Sequence, residues 1–196
     1  MHTYSIGDVE IIALLDTTLS VDPRQFFPSA GAKFHDQYPK ALDEHGRLPM
    51  PITVFVIRSG GKTVLADSGF GSRPLGPMPA GTLDKSLAEA GIAPGDVDAV
   101  VHTHLHIDHV GWNTVDDNGT PKVFFPNAKF MVQQPEWDFW MTEERLAEPR
   151  NAHLVNCMQP VADSGQLELV DGEVEIAPGV TYTPTPGHTP GHACVV

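Results

Sequence analysis

Residues His102 to Trp112 read HTHLHIDHVGW, and the first eight of them hold four of the chain's ten histidines together with Asp108. Crowded imidazoles that must stay neutral and partly desolvated need a compensating ion. In an extended segment alternate side chains share a face, so His104 and His106 point the same way, while Asp108 and His109 fall where the chain turns toward a helix. The spacing therefore predicts two adjacent ligand sets, His104 with His106 and Asp108 with His109. Neutral imidazole and carboxylate together suit Zn²⁺, with manganese, cobalt or iron as alternatives. His102 lies inside a predicted strand and is expected to pack or to support a ligand rather than to bind metal.

The elements around this cluster must hold it in place. VDAVVH reads as a buried strand leading into it, and AKFMVQQ as a strand beyond it, followed by one helix over PEWDFWMTEERLA with Pro135 in its first turn. Upstream, YSIGDVEIIALLD reads as a hairpin about Gly7 and Asp8, and PRQFFPSAGAKFHDQYPK has the Pro/Gly punctuation of a long irregular loop. ITVFVIR and KTVLAD form a second hairpin through Ser59, Gly60 and Gly61. Leu83 and Leu87 mark a short helix with Thr82 as N-cap and Gly91 just past its end. DDNGTPK is a turn, and QLELVDGEVEIAPGVTYTPTPGH predicts a hairpin about Asp171 and Gly172 plus one further strand. Irregular alternation of strands and helices favours layered sheet and helix, an α/β (α+β) class.

Composition narrows the chemistry. The chain has 196 residues, 41% hydrophobic and 19% charged, which is ordinary globular composition and enough for one domain with a real core. A net charge of −13 would repel a polyanion, so nucleic acid is not an expected partner. MHTYSIGDVE lacks the basic start and apolar run of a signal peptide, and no apolar stretch is long enough to span a bilayer, so a cytoplasmic protein without a membrane partner is expected. Cys157 and Cys194 form no CxxC pair and read as small buried hydrophobes. GFGSRPLG lacks the spacing of a dinucleotide-binding loop.

THLHIDH resembles the HxHxDH signature of the metallo-β-lactamase fold superfamily of metal-dependent hydrolases, and VLADSGFG and TPGHTPGH resemble two further motifs of that family, in the same order. The resemblance implies an αββα sandwich of two similar halves, and two zinc ions per intact site. It implies that His188 is the third protein ligand of the metal held by His104 and His106, and that His192 stands at a position that usually does not bind metal. It makes Asp67 a supporting carboxylate that orients the site, with Gly69 and Gly71 allowing a tight backbone turn beside it. The family's bridging aspartate and final histidine lie further along than TPGHTPGH. Residues 1–196 are accordingly expected to be a single domain, incomplete at its C-terminus, holding the first half and the start of the second.

The expected activity is that of a zinc-dependent hydrolase that uses a metal-bound hydroxide to cleave an ester or lactone, with Asp108 contributing to catalysis through the second metal. DHVGWN and the aromatic segment after it resemble quorum-quenching lactonases and related esterases. Trp112, Trp137 and Trp140 are candidates to line a substrate pocket, and Phe26 to close over it, with core packing as the competing reading for the tryptophans. Two rival readings stand beside this one: a mononuclear iron oxygenase of the persulfide dioxygenase kind, and a catalytically silent metal-binding fragment. The expected partner is a small-molecule ester or lactone. The sequence leaves assembly as a homodimer open.

Overall fold

A computed structural model describes residues 1–29, 31–74 and 78–196. The N-terminal hairpin pairs β1 (His2–Ile6) with β2 (Val9–Val21) about Gly7 and Asp8, as the sequence predicts. The irregular loop expected over 23–40 is instead largely helical, with α1 (Pro23–Phe26) and α2 (Gly31–Gln37); position 30 lies outside the described residues. Local chemistry starts α1, since Asp22 accepts the Arg24 N–H and Pro23 occupies the first helical position. β3 (Leu48–Ser59) and β4 (Lys62–Ala66) then form the second hairpin through Gly60 and Gly61, both at positive φ (57° and 78°).

The helix marked by Leu83 and Leu87 is α3 (Leu83–Glu89), and Gly91 follows it at φ 68°. Thr82 does not cap it through its side chain. Asp16 takes that role from β2, accepting the Leu83 N–H at 2.8 Å. β5 (Ala99–Val101) leads into α4 (Ile107–Val110), and the hairpin β6 (Thr114–Asp117) with β7 (Thr120–Val123) turns at Asn118 and Gly119. β8 (Lys129–Gln133) follows. The single helix expected after it is two, α5 (Gln134–Trp140) and α6 (Glu143–Leu146), because Thr142 caps a fresh start by accepting the Arg145 N–H. The chain continues through α7 (Ala152–Cys157), α8 (Gln159–Asp163), β9 (Leu167–Val170), β10 (Val174–Ala177), β11 (Val180–Pro184) and β12 (Ala193–Val195).

The main sheet has the order β1-β2-β3-β4-β5-β8-β9, antiparallel from β1 to β4 and parallel from β4 to β9. β10, β11 and β12 make a second, antiparallel sheet. The predicted hairpin about Asp171 and Gly172 is therefore corrected: β9 stays in the main sheet beside β8, and the chain crosses to the second sheet before β10. Alternation along β8 shows the layering. Phe130 faces a helix-side core with Val54, Leu65, Leu83, Leu87 and Val161, while Met131 faces Val64, Val101, Val180, Tyr182 and Ala193 between the two sheets. The molecule thus builds the helix, sheet and sheet layers of the αββα arrangement. On the outer side of the second sheet Glu175, Thr181, Thr183 and Cys194 remain partly or fully exposed. Cys157 is buried, and both cysteines are free. Among the described residues no helix is long and apolar enough to cross a membrane.

Candidate metal centre

The parallel register sets Ala66 of β4 beside Val101 of β5, so the loops leaving the two strands emerge side by side. Asp67 ends the first loop's approach at φ 64°, a left-handed conformation uncommon for a side chain with a Cβ, and donates its N–H to the Val101 carbonyl at 2.9 Å. Gly69 and Gly71 have φ of 68° and 97°. A Cβ on Gly71 would lie 2.7 Å from the Gly111 carbonyl oxygen, so this loop packs backbone to backbone on the segment that follows the histidine cluster.

From there one carboxylate organises both ligand sets. Asp67 accepts the Thr103 N–H at 2.7 Å on one oxygen, and the Thr103 hydroxyl at 2.8 Å and His109 Nδ1 at 2.8 Å on the other. An ionised carboxylate only accepts, so Thr103 Oγ1 spends its proton on Asp67 and must accept from His104 Nδ1, 3.0 Å away. His104 is thereby fixed with its proton on Nδ1 and a lone pair on Nε2. By the same reasoning His109 carries Nδ1–H toward Asp67 and turns Nε2 to Asp108, 3.4 Å away. Asp67 and Thr103 thus fix the Nδ1 protons of two histidines.

The free Nε2 of His104 points into a cluster of nitrogens. It lies 3.0 Å from His106 Nδ1, which is in turn 3.1 Å from His188 Nε2, and the three ligand atoms all fall within 4.8 Å of one another. Three imidazoles sharing one tetrahedral zinc at Zn–N distances of about 2.0–2.1 Å would sit roughly 3.4 Å apart, so these residues fit such an ion. His106 caps α4 without a side-chain bond to its backbone, leaving the ring free to turn to His104. His188 enters from the connection between β11 and β12, and the Ala193 N–H ties that connection to the Thr103 carbonyl at 2.9 Å. His104 is buried, His106 half-buried and His188 exposed, so the cluster is open to solvent on one side.

Electrostatics agree with the geometry. Burial, with His109 adjacent, pushes His104 down to about 3, and burial with His188 nearby lowers His106, so both rings are neutral and ready to ligate. Burial works against the charge on Asp67, yet the imidazoles of His102 and His109 hold it well below the carboxylate range. Burial also opposes a charged His109, but Asp108 and Asp67 outweigh it and raise its pKa to about 10. The metal-free chain thus favours a protonated His109, and a cation bound at this pair would have to displace that proton.

The remaining expected residues lie as follows. His192 lies tilted beside His104, with ring centroids 5.3 Å apart, while its Nδ1 is held by Thr185 Oγ1 at 2.9 Å and stays outside the converging nitrogens. His102 is buried and packs on Phe130, its Nδ1 3.8 Å from Asp67 and without a hydrogen-bond partner. Trp140 stands at the site, its ring 5.4 Å from His106. Trp112 instead belongs to the helix-side core and donates its indole N–H to Asp16 at 2.8 Å, and Trp137 packs in the cluster around Leu154. Phe26 is exposed, edge-on to Phe27. A cavity of about 190 Å³ is lined by Ile107, Phe70, Arg73, His153 and Cys157, by none of these four aromatics and by none of the candidate ligands.

Sequence reading passes over Thr103, Asp16 and Glu136. Thr103 could be found from its place one residue before His104. Asp16 and Glu136 carry no local signal, because each acts on loops far from it in sequence.

The family model described as the metallo-beta-lactamase superfamily matches residues 47–196. The chain belongs to this superfamily. An N-acyl homoserine lactonase of Bacillus cereus is 30% identical over 106 residues, which are 54% of this chain and 35% of that protein. The match thus spans about a third of the length of the lactonases of this kind. Among solved structures, hydrolase AbOPH of the beta lactamase superfamily superposes with a TM-score of 0.82 at 28% identity, covering 98% of this chain and 67% of that one. AidC, a dizinc quorum-quenching lactonase in complex with a product, superposes with a TM-score of 0.79 at 23% identity, covering 99% and 69%, which is likeness of fold. The chain thus joins the fold of this superfamily to a histidine-rich site suited to metal.

Proposed function

We propose that this chain carries the metal-binding part of a zinc-dependent hydrolase acting on a small ester or lactone. The observation that carries the reading is the meeting of His104 Nε2, His106 Nδ1 and His188 Nε2 beside a separate Asp108 and His109 pair. Zinc held by the three histidines, with a second ion at Asp108 and His109, would supply an acidified water and polarise a substrate carbonyl. The chain's own residues do the arranging. Thr103 and Asp67 hold His104 with its lone pair already directed inward, so no ring need rotate or lose a proton there. Asp67 also keeps His109 turned toward Asp108. Exposure of His188 leaves a side from which substrate can approach.

The net charge of −13 favours a neutral substrate over a polyanion. The lactonase named above adds weight to a lactone in particular. The test is a panel of N-acyl homoserine lactones of graded chain length, simple γ-lactones and aryl esters, offered to zinc-loaded protein. Hydrolysis abolished by chelator and restored by zinc is the expected result. Inertness of the full-length, metal-loaded protein toward the whole panel would overturn the substrate class.

A further inference from the structure

Glu136 is 1% exposed, which is rare for a carboxylate, and both of its oxygens are occupied. Oε1 accepts the Leu105 N–H at 3.0 Å and the Trp140 indole N–H at 2.7 Å, and Oε2 accepts the Gly191 N–H at 3.0 Å. Each partner belongs to the histidine cluster's surroundings. Leu105 stands between His104 and His106, Trp140 lies edge-on to His106 at 5.4 Å, and Gly191 follows His188 by three residues. The turn carrying His188 is internally bonded, with Gly187 N–H and His192 N–H both directed to the Thr189 carbonyl, so holding Gly191 holds His188. A Cβ at Gly191 would meet the Glu136 nitrogen at 2.1 Å, so the turn rests directly on α5.

We propose that Glu136 is a positioning residue that clamps the His104–His106 loop to the His188 loop, so that three nitrogens from two distant segments reach one metal. The inference rests on the metal-centre reading above, and touches no metal itself. The carboxylate suits the task because it offers acceptors in both directions. Glutamine has the same shape but only one oxygen. If that oxygen keeps Leu105 and Trp140, its NH₂ group faces the Gly191 N–H, donor against donor, and the His188 loop loosens.

The test titrates Zn²⁺ into the wild-type chain and Glu136→Gln in competition with a chromophoric chelator, and records the visible spectrum of each with Co²⁺. Zinc affinity should fall at least tenfold in Glu136→Gln, with a changed cobalt spectrum. Val161→Ala, in the core of the helix layer, serves as a control for general destabilisation and should leave affinity and spectrum as in the wild type. Should Glu136→Gln not fold, Trp140→Phe removes one of the three donors from the clamp and is expected to shift the spectrum in the same sense. Unchanged affinity and spectrum in the folded variant would overturn the clamp while leaving the metal centre standing. Failure of the wild type to bind either ion would overturn the metal centre and the clamp with it.

Discussion

Replacing Thr103 with valine preserves the shape of the side chain and removes one hydroxyl, which makes it a sharp probe of how Asp67 governs the site. That hydroxyl donates to Asp67 at 2.8 Å and accepts from His104 Nδ1 at 3.0 Å. Losing a hydrogen bond to a charged group costs about 1.5–3 kcal/mol, and an orphaned buried N–H costs about 1–3 kcal/mol more. His104 can escape the second cost by moving its proton from Nδ1 to Nε2, but that places the proton on the nitrogen facing His106 and His188. The penalty then appears in metal binding. Loss of an outer partner of a ligating histidine typically lowers affinity 10–100-fold. Thr103→Val should therefore show a fall of that size in zinc affinity, measured by chelator competition, and a loss of about 2 kcal/mol in urea unfolding of the metal-free chain. Thr103→Ser, which restores the hydroxyl, should recover most of both. Zinc affinity in Thr103→Val within twofold of the wild type would refute the tautomer assignment.

His188→Ala should remove most of the metal bound by the three-histidine set, whereas His192→Ala should keep it, as read by elemental analysis of purified protein; equal loss from both would mean that the ligand is misassigned. In the metal-free chain the pKa of His109, about 10 when folded against 6.5 as its ordinary value, contributes stability that is complete below pH 6.5 and is lost as the pH rises through 10. Urea midpoints should accordingly fall over that window in the wild type and fall less in His109→Gln, and parallel curves for the two proteins would count against the Asp67–His109–Asp108 proton network.

Legibility in the sequence followed the range over which each feature acts. The candidate pairs His104 with His106 and Asp108 with His109 stand out because they sit in one short stretch, and the turns at Gly7-Asp8, Gly60-Gly61 and Asn118-Gly119 were readable because turn chemistry is local. The place of His188 depended on family resemblance, since spacing alone says nothing of a residue 82 positions from His106. Alternation marked β9 and β10 as strands but not as members of different sheets, because a two-residue period does not name the partner strand. Acidic residues in amphipathic segments ordinarily read as solvated, which hid both Asp16 and Glu136. Each is instead buried and serves backbone N–H groups brought to it only by tertiary folding. Trp112 was read as a pocket candidate from its neighbourhood in the motif, whereas its indole satisfies Asp16 inside the core.

Asp67 leaves β4, the histidine cluster leaves β5 and Glu136 follows β8, all at the carboxyl ends of neighbouring parallel strands. The paired strands end at Ala66, Val101 and Gln133, and the site residues follow in or just after the last rungs, so most of the chemistry is written in the connections. Insertions or replacements in the connections after these strands can alter what enters the site without shifting a single strand register. Selection acting on these connections would therefore fall first on segments such as 68–74. It would meet resistance at Gly71 and Gly111, where a Cβ on either would come within 2.7 Å of opposing backbone. Diversification of this scaffold thus has a built-in boundary at two glycines.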